Sequence, residues 1–232
     1  MVQQQCRWSV LADPAEVARL AVDRICRQAR RCIEDHGRFA LVLAGGRTPE
    51  KTYRLLSGRE EEWSKWQLYF GDERCLPADH PERNSVMATR AWLEHVDFPP
   101  ANVHRIPAEQ GADKAARVYS RVVETALPFD GVVLGMGEDG HTASLFPGQR
   151  HPRDAWVHAV HDAPKPPPDR VSLSLEALSS TRAMWVLVTG ASKAEAVRRW
   201  YEGDSSLPVA QLRPANGVDV LLDVAAASRI PR

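Results

Sequence analysis

The first strong pattern in the chain is a run of apolar residues at helical spacing that starts after residue 13. Asp13 can cap the free N–H groups of a helix, Pro14 suits the first helical position, and Glu16 completes a capping box. Gly37 ends the run, as glycine commonly does at a helix C-terminus. The apolar positions are Val17, Leu20, Ala21, Ile25, Ala29, Cys32 and Ile33. The pattern predicts a long amphipathic helix.

Five short apolar runs predict strands, and such continuous runs are typical of strands covered on both faces. They span residues 39–44, 66–70, 131–134, 184–188 and 218–222. Between them, polar caps and apolar periodicity predict helices, with Thr48 and Asn84 as expected N-caps of the first two. These helices span residues 48–58, 84–95, 113–127 and 192–200. The alternation predicts an α/β fold: one domain over residues 1–232 with a doubly wound, mainly parallel sheet and helices on both faces.

Three polar segments directly follow predicted strands, at residues 45–48, 71–74 and 135–141. In open α/β sheets, ligands bind beyond the carboxyl ends of the strands. We therefore expect the three segments to converge on one site.

The first segment, Gly45-Gly46-Arg47-Thr48, joins a strand to a helix N-terminus. Glycines let backbone N–H groups approach an anion closely, and the helix end adds partial positive charge. The turn is a candidate for substrate binding, although an ordinary tight strand-to-helix turn would have the same composition.

The third segment, residues 135–140, formally matches GxGxxG, and Asp162 lies at a suitable distance downstream for a dinucleotide site. No helix is predicted to follow, because Pro147 and Pro152 come soon after, and Asp139 would place negative charge beside a pyrophosphate. Acid–base chemistry by His141 with Asp139 as its partner suits the loop better, since a carboxylate can fix an imidazole tautomer. The alternative is that His141 merely caps or packs.

Four further residues are candidates for binding an anionic substrate. Arg74 could bind a phosphate bidentately, and Asp72 could accept hydrogen bonds from sugar hydroxyls or orient Arg74. Arg170 follows a proline run and Lys193 opens a predicted helix. The alternative for each is a solvated surface charge.

Composition and charge exclude several classes of function. The 30 basic and 30 acidic residues balance, so no overall field recruits nucleic acid or an anionic membrane. No apolar run is long enough to span a bilayer, and the N-terminus lacks the apolar core of a secretory signal. Four cysteines without a CxxC pair predict reduced thiols in a cytoplasmic protein. The spacing of His151, His158 and His161 matches no zinc pattern, so we expect no metal.

At five places the sequence resembles the 6-phosphogluconolactonase family, whose fold is shared with glucosamine-6-phosphate deaminases. The strongest match is residues 135–148 (GMGEDGHTASLFPG). The other matching segments are residues 44–49 (AGGRTP), 71–74 (GDER, with Pro77 and Asn84-Ser85 after it), 166–170 (PPPDR) and 188–193 (VTGASK). The similarity runs from about residue 10 to 225, with the same motif order.

The resemblance implies hydrolysis of 6-phospho-D-glucono-1,5-lactone to 6-phospho-D-gluconate in the oxidative pentose phosphate pathway, without a cofactor. By position, His141 would be the general base on water and Asp139 its partner. Arg74, Arg170 and Lys193 would lie at or near the phosphate, with the turn at residues 45–48 along the sugar. The partner would be this small phosphosugar lactone, bound by a monomer or small homo-oligomer, with no nucleic acid or membrane involved.

The sequence departs from the family pattern at two positions. Ala44 stands where serine is frequent, and Glu138 adds negative charge beside Asp139 at a variable position. Ser144, near His141, keeps a serine-nucleophile route open.

Two other functions remain as alternatives. An amino-sugar-phosphate isomerase or deaminase would use a carboxylate base at Asp72, but those enzymes also carry a glutamate shortly after the histidine, and residues 142–147 hold no carboxylate. A non-catalytic sugar-phosphate sensor would call for a DNA-binding module or a basic patch.

Overall fold

The structure is a computed structural model that describes residues 4–152 and 154–231. Its main element is a seven-stranded sheet in which every strand pairs in parallel, in the spatial order β1-β10-β9-β6-β2-β3-β5. These strands are β1 (Cys6–Leu11), β2 (Phe39–Leu43), β3 (Trp66–Phe70), β5 (Val103–His104), β6 (Gly131–Gly135), β9 (Met184–Val188) and β10 (Val218–Asp223).

The strand order contains the reversal that defines a doubly wound sheet. From the central β2 the chain moves outward to β3 and β5, then returns to β6 on the other side of β2 and moves outward again to β9 and β10. Because crossovers between parallel strands are right-handed, the two directions of winding place helices on opposite faces. The predicted fold class is confirmed, and the reversal lies between β2 and β6.

The helices are α1 (Pro14–His36), α2 (Arg47–Leu56), α3 (Asn84–Ala91), α4 (Ala112–Glu124), α5 (Leu175–Ser179) and α6 (Ala194–Tyr201). The predicted N-cap of α1 is confirmed, since Asp13 Oδ1 accepts hydrogen bonds from the N–H groups of Ala15 and Glu16 at 2.7 and 2.8 Å. Gly37 ends this helix with a left-handed φ of 80°.

Two cap predictions are wrong. The N-cap of α2 is Gly46, and Thr48 lies inside the helix, where its hydroxyl contacts the Thr189 hydroxyl. The N-cap of α3 is Arg83, while the Asn84 amide turns toward Asp72 instead. In both cases a contact with a distant segment competes with local capping for the side chain.

A second, three-stranded antiparallel sheet was not predicted. It consists of β4 (Asp72–Arg74), β8 (Arg170–Leu173) and β7 (Val157–Val160), in that spatial order. Helix α4 packs against β7 and β8. This sheet pairs Arg74 with Arg170, and so brings two predicted binding residues together.

Most of the buried apolar side chains form one contiguous cluster that includes every residue of β2 and β9. This explains why both strands read as unbroken apolar runs. Within residues 4–152 and 154–231, none of the helices combines the length and apolar character needed to cross a lipid bilayer.

Candidate active site

A cleft of about 520 Å³ opens at the carboxyl ends of β2 and β6, where the winding of the sheet reverses. Ligands of open α/β sheets bind at this topological position. The three polar segments predicted to converge do meet here. The predicted site residues that line the cleft are Gly45, Gly46, Arg47, Thr48, Asp72, Arg74, His141, Arg170 and Lys193. Asp139, the remaining one, contacts His141 directly.

The His141 imidazole and the Asp139 carboxylate form a close pair on the loop after β6. Their Nδ1 and Oδ1 atoms lie 2.5 Å apart, and the same oxygen accepts a hydrogen bond from the His141 backbone N–H at 3.3 Å. A carboxylate accepts only, so Nδ1 carries the proton and Nε2 is the basic nitrogen of the neutral ring. The imidazole is 19% exposed and the carboxylate 36% exposed.

The surroundings favour the neutral form of His141 and the ionised form of Asp139. Burial lowers the pKa of His141, and the attraction of Asp139 offsets this only in part. For Asp139, burial acts to raise the pKa, but the charge and hydrogen bonds of His141 outweigh it, so the carboxyl pKa lies below its usual value. A neutral imidazole oriented by a carboxylate is the form that a general base needs near neutral pH.

The loop after β6 is shaped to allow this contact. A Cβ atom on Gly137 would lie 2.0 Å from His141 Nδ1, so only glycine permits the imidazole to sit there. The Gly137 N–H donates to the His141 carbonyl at 2.9 Å, which closes the loop. Among the described residues, no helix opens between β6 and β7, so the nucleotide-binding geometry that GxGxxG requires is not present.

The glycine-rich turn after β2 lies across the cleft from this loop. A Cβ atom on Gly45 would lie 2.0 Å from Asn84 Oδ1, so the close packing of the Asn84 amide excludes any larger residue. Thr48 Oγ1 lies 2.7 Å from Thr189 Oγ1, which joins the start of α2 to the segment after β9. At Ala44, the backbone N–H and C=O both bond the Tyr53 hydroxyl at 2.9 Å.

Asp72 is buried at the floor of the cleft, with 6% exposure. Its Oδ2 accepts a hydrogen bond from the Ser144 hydroxyl at 2.6 Å, and its Oδ1 accepts one from the Asn84 amide at 3.0 Å. Burial raises the pKa of this carboxyl. Ser144 is itself fully buried, so its hydroxyl holds Asp72 and does not face the cleft as a nucleophile would.

Glu73 is a supporting residue that the sequence did not reveal. Its fully buried carboxylate accepts hydrogen bonds from the N–H groups of Asn84 and Ser85 at 2.8 and 2.9 Å. A carboxylate from β4 thus caps α3 in place of a local residue, and this fixes the Asn84 amide between Asp72 and Gly45. Only the tertiary structure brings Glu73 to the start of a helix eleven residues away.

The cationic side chains of the cleft differ in how many hydrogen bonds and ion pairs they already make within the protein. Arg74 Nη1 donates to the Glu82 carbonyl at 3.0 Å. Arg170 is buried, and its Nε and Nη2 donate to backbone carbonyls of the proline-rich loop. Lys193 is 22% exposed and its Nζ lies 3.9 Å from Glu138 Oε1, so the unusual glutamate faces a cation. Burial lowers the pKa of Lys193.

The position of Lys193 depends on the end of β10. Both Asp223 carboxylate oxygens lie within hydrogen-bond distance of the Gly190 N–H, at 3.0 and 3.1 Å. Gly190 has a φ of 96°, the left-handed conformation that starts the turn at Ala191–Lys193. Asp223 thereby holds the turn that carries Lys193.

Lys165, a second residue missed from the sequence, also lines the cleft, and its Nζ lies 3.9 Å from Asp139 Oδ1. Its position within a run of prolines indicated only a rigid loop. With it, six cationic side chains among the described residues line the cleft: Arg47, Lys51, Arg74, Lys165, Arg170 and Lys193.

The histidines tested for a zinc pattern do not form one cluster. His151 donates to the Phe146 carbonyl, and His161 pairs with Asp113 and Asp169. Elsewhere in the described chain, Cys32, His36 and Asp130 lie close enough together to hold a cation.

The Asp130 carboxylate already has protein partners. It accepts a hydrogen bond from the Ala40 N–H at 2.8 Å, and Arg182 Nε lies 3.2 Å from its other oxygen. The arginine makes this group an ion-pair network and not a cation site.

Comparison with known proteins places the chain in a family. The family model for glucosamine-6-phosphate isomerases/6-phosphogluconolactonase matches residues 12–221. The chain is 38% identical to a 6-phosphogluconolactonase of Streptomyces coelicolor, over 94% of this chain and 90% of that protein. It is 34% identical to a 6-phosphogluconolactonase of Mycobacterium leprae, over 96% of this chain and 97% of that protein.

The fold agrees with the same assignment. The crystal structure of a 6-phosphogluconolactonase from Thermotoga maritima matches with a TM-score of 0.88 and 26% identity, over 94% of this chain and all of that chain. The resemblance noted from the sequence is therefore confirmed over nearly the whole chain: this protein belongs to the glucosamine-6-phosphate isomerase/6-phosphogluconolactonase family.

Proposed function

We propose that this protein hydrolyses 6-phospho-D-glucono-1,5-lactone to 6-phospho-D-gluconate, as an enzyme of the oxidative pentose phosphate pathway. The observation that carries the proposal is the contact between the neutral His141 imidazole and the Asp139 carboxylate, in a cleft that six cationic side chains of the described residues line. The pair supplies a base for water, and the cations supply a binding site for a phosphorylated, anionic substrate. The names of the two relatives described above support the same reaction.

In the proposed mechanism, His141 Nε2 removes a proton from a water molecule as the water oxygen attacks the lactone carbonyl carbon. Asp139 keeps the proton on Nδ1 and stabilises the imidazolium that forms. Backbone N–H groups of the glycine-containing loops are suitable donors for the oxyanion on the carbonyl oxygen. As the intermediate collapses, the imidazolium returns its proton to the departing ring oxygen, which regenerates neutral His141. A lactone is an activated ester, so no covalent intermediate is needed.

The phosphate is assigned to the basic side chains of the cleft, with Arg74 and Lys193 as direct ligands and Arg170 beside them. Lys193 is the best placed of these for a direct contact, because its ammonium is partly exposed and its only ion-pair contact in the described chain is at 3.9 Å. The turn at residues 45–48 is assigned to the sugar ring, and Asp72 supports this side of the cleft by accepting a hydrogen bond from the Asn84 amide. Arg47 and Thr48 belong to this turn and also line the cleft.

The alternative of an isomerase or deaminase fits the geometry less well. Those reactions need a carboxylate that moves a proton between carbon atoms. Asp72 is the candidate base, but its two oxygens accept bonds from Ser144 and Asn84 and its exposure is only 6%. A base must reach the proton that it removes.

We further propose that the whole chain acts as one lactonase domain in the cytoplasm, as a monomer or small homo-oligomer, without a cofactor. The single contiguous core that joins both sheets supports one domain. The four cysteines are free thiols, as in a reducing compartment.

The test is to follow freshly prepared 6-phosphogluconolactone by NMR with the wild-type protein, with His141→Ala, and without protein to record spontaneous ring opening. We expect rapid opening with wild type and a loss of at least about 100-fold with His141→Ala, because general-base catalysis contributes about 10²–10⁴-fold. His95→Ala is the matched control, since His95 is exposed and bonds only the Arg90 carbonyl among its described contacts. A wild-type rate equal to the blank would overturn the proposal, and turnover of glucosamine 6-phosphate would then be measured.

A further inference from the structure

The proline-rich loop before β8, residues 163–168, is held by Arg170 at the start of that strand. Arg170 Nε donates to the Pro167 carbonyl at 3.1 Å, and its Nη2 donates to the carbonyls of Lys165 and Pro166 at 3.0 and 2.9 Å. The Ala163 N–H also donates to the Pro168 carbonyl at 2.9 Å, which closes the loop. Two of the three guanidinium nitrogens are therefore committed to the backbone of this loop.

The loop directs one charged side chain toward the acid–base pair. Lys165 lines the cleft, and its Nζ lies 3.9 Å from Asp139 Oδ1, the oxygen that bonds His141. A lysine on a flexible surface loop would move away from such a contact at little cost. Here, consecutive prolines and three hydrogen bonds from a buried arginine fix the backbone from which the side chain extends.

The Phe146 ring packs near both Arg170 and the His141 imidazole. The Arg170 guanidinium lies 5.6 Å from the centre of the Phe146 ring, and that ring lies 4.8 Å from the centre of the His141 ring. Arg170 is therefore linked to the His141–Asp139 pair in two ways: through the Phe146 ring and through the loop that carries Lys165.

We propose that Arg170 is a positioning residue that acts through the proline-rich loop, and that the loop backbone places the Lys165 ammonium near Asp139 so that a positive charge faces the His141–Asp139 pair. This inference rests on the proposed function, in which His141 is the base. It assigns a role to Lys165 and makes Arg170 primarily an anchor and not a phosphate ligand.

The charge has a definite effect on the base. The charged groups that act on His141 are Asp139 on its own loop, Lys165 on the proline-rich loop and Lys193 on the turn after β9. Burial lowers the pKa of His141 most, Asp139 raises it, and the two lysines lower it. Lys165 thus offsets part of the pull of Asp139 on the proton, and keeps the imidazole in its base form at lower pH.

The primary experiment is an NMR titration of the His141 ring proton in the ligand-free protein, with the resonance assigned by its loss in His141→Gln. Lys165→Met removes the charge but keeps the chain length, and we expect the His141 midpoint to move to higher pH. Lys165→Arg keeps the charge and should restore the wild-type midpoint. Lys65→Met is the matched control. Lys65 lies at the amino end of β3, whereas the cleft lies at the carboxyl ends of the strands.

Arg170→Lys tests the anchor, because lysine keeps the charge but cannot reproduce the fork of three bonds. We expect its midpoint to move in the same direction as that of Lys165→Met, and to move little further when the two changes are combined, since both act through the same ammonium. An unchanged midpoint in Lys165→Met, or additive shifts in the double variant, would overturn the inference. If Arg170→Lys does not fold, Lys165→Met alone still tests whether the Lys165 charge acts on the His141–Asp139 pair.

The pH profile of kcat/KM gives the second readout. The acidic limb should move to higher pH in Lys165→Met and Arg170→Lys, with kcat/KM at neutral pH reduced less than about tenfold. A direct phosphate ligand would instead raise KM and leave the limb unmoved. The titration needs no turnover. If the protein had no lactonase activity, the proposed function would be wrong, but the titration would still show whether Lys165 lowers the pKa of His141.

Discussion

Two segments, one after β6 and one after β3 on the other side of β2, each bring an aspartate to the same cleft, and the two carboxylates are used in opposite ways. Asp139, on the loop after β6, is 36% exposed and pairs with an imidazole, which holds its pKa below the usual value. Asp72, after β3, is 6% exposed and bonds a hydroxyl and an amide, and burial raises its pKa. The neighbours of each group, and not the residue type, determine which one is a charged partner of the base and which one is a structural acceptor.

The largest effect should come from Asp139→Asn. The amide cannot accept the Nδ1 proton with the full charge of a carboxylate and can stabilise the wrong tautomer, so we expect kcat to fall by about 10²–10³-fold. The thermal midpoint should change little, because Asp139 lies on a partly exposed loop. Steady-state kinetics on fresh lactone would measure this, with the exposed Asp35→Asn as control. An activity within a few fold of wild type would remove Asp139 from the mechanism.

A smaller effect, on stability, is expected for Asp72→Asn. One of its two buried hydrogen bonds must reverse or break, which costs about 1–3 kcal/mol of unfolding free energy. The raised pKa of Asp72 also makes the free energy of unfolding depend on pH. A carboxyl whose folded pKa is raised contributes stability that is full below its unfolded pKa and is lost as pH rises through the folded value. Urea unfolding across this range should show that decline in wild type and a flatter curve in the variant. The two roles would be indistinguishable if Asp72→Asn impaired kcat as strongly as Asp139→Asn.

The smallest effect is expected for Ser144→Ala. Loss of the hydroxyl that bonds Asp72 Oδ2 should cost about 1 kcal/mol of unfolding free energy, with kcat/KM kept within about tenfold. The exposed Ser64→Ala is the control. A loss of activity beyond about 1,000-fold in a folded variant would revive the serine-nucleophile route.

The central strands could be predicted from the sequence because each is buried on both faces and reads as an unbroken apolar run. Strand β2, for example, is buried at all five residues. Strand β1 was missed because it lies at the sheet edge and has no fully buried residue, so its apolar signal is weak. Strands β4, β7 and β8 have only three or four residues each, and their pairing is antiparallel and long-range.

In the site, local motifs identified the residues that carry chemistry but not the residues that hold them. His141 and Asp139 are two positions apart on one loop, so their contact could be expected from spacing. Glu73 caps α3 from eleven residues away, and Arg170 bonds the carbonyls of the loop that carries Lys165; no apolar or capping pattern in the sequence reveals either contact. The Asn84 cap prediction was wrong for the same reason.

The position of β10 between β1 and β9 determines the order in which the cleft can be assembled during synthesis. Among the strands of the described residues, β1 is synthesised first, yet the one strand with which it pairs is β10, the last. The central pair β2 and β6, which carries the glycine turn and His141, can form as soon as residue 141 has left the ribosome. Asp223, at the end of β10, holds the turn of Lys193 through Gly190. The strands that carry the acid–base pair are therefore complete before β9 and β10 are synthesised, whereas Asp223 can hold the turn of Lys193 only after the final strand docks.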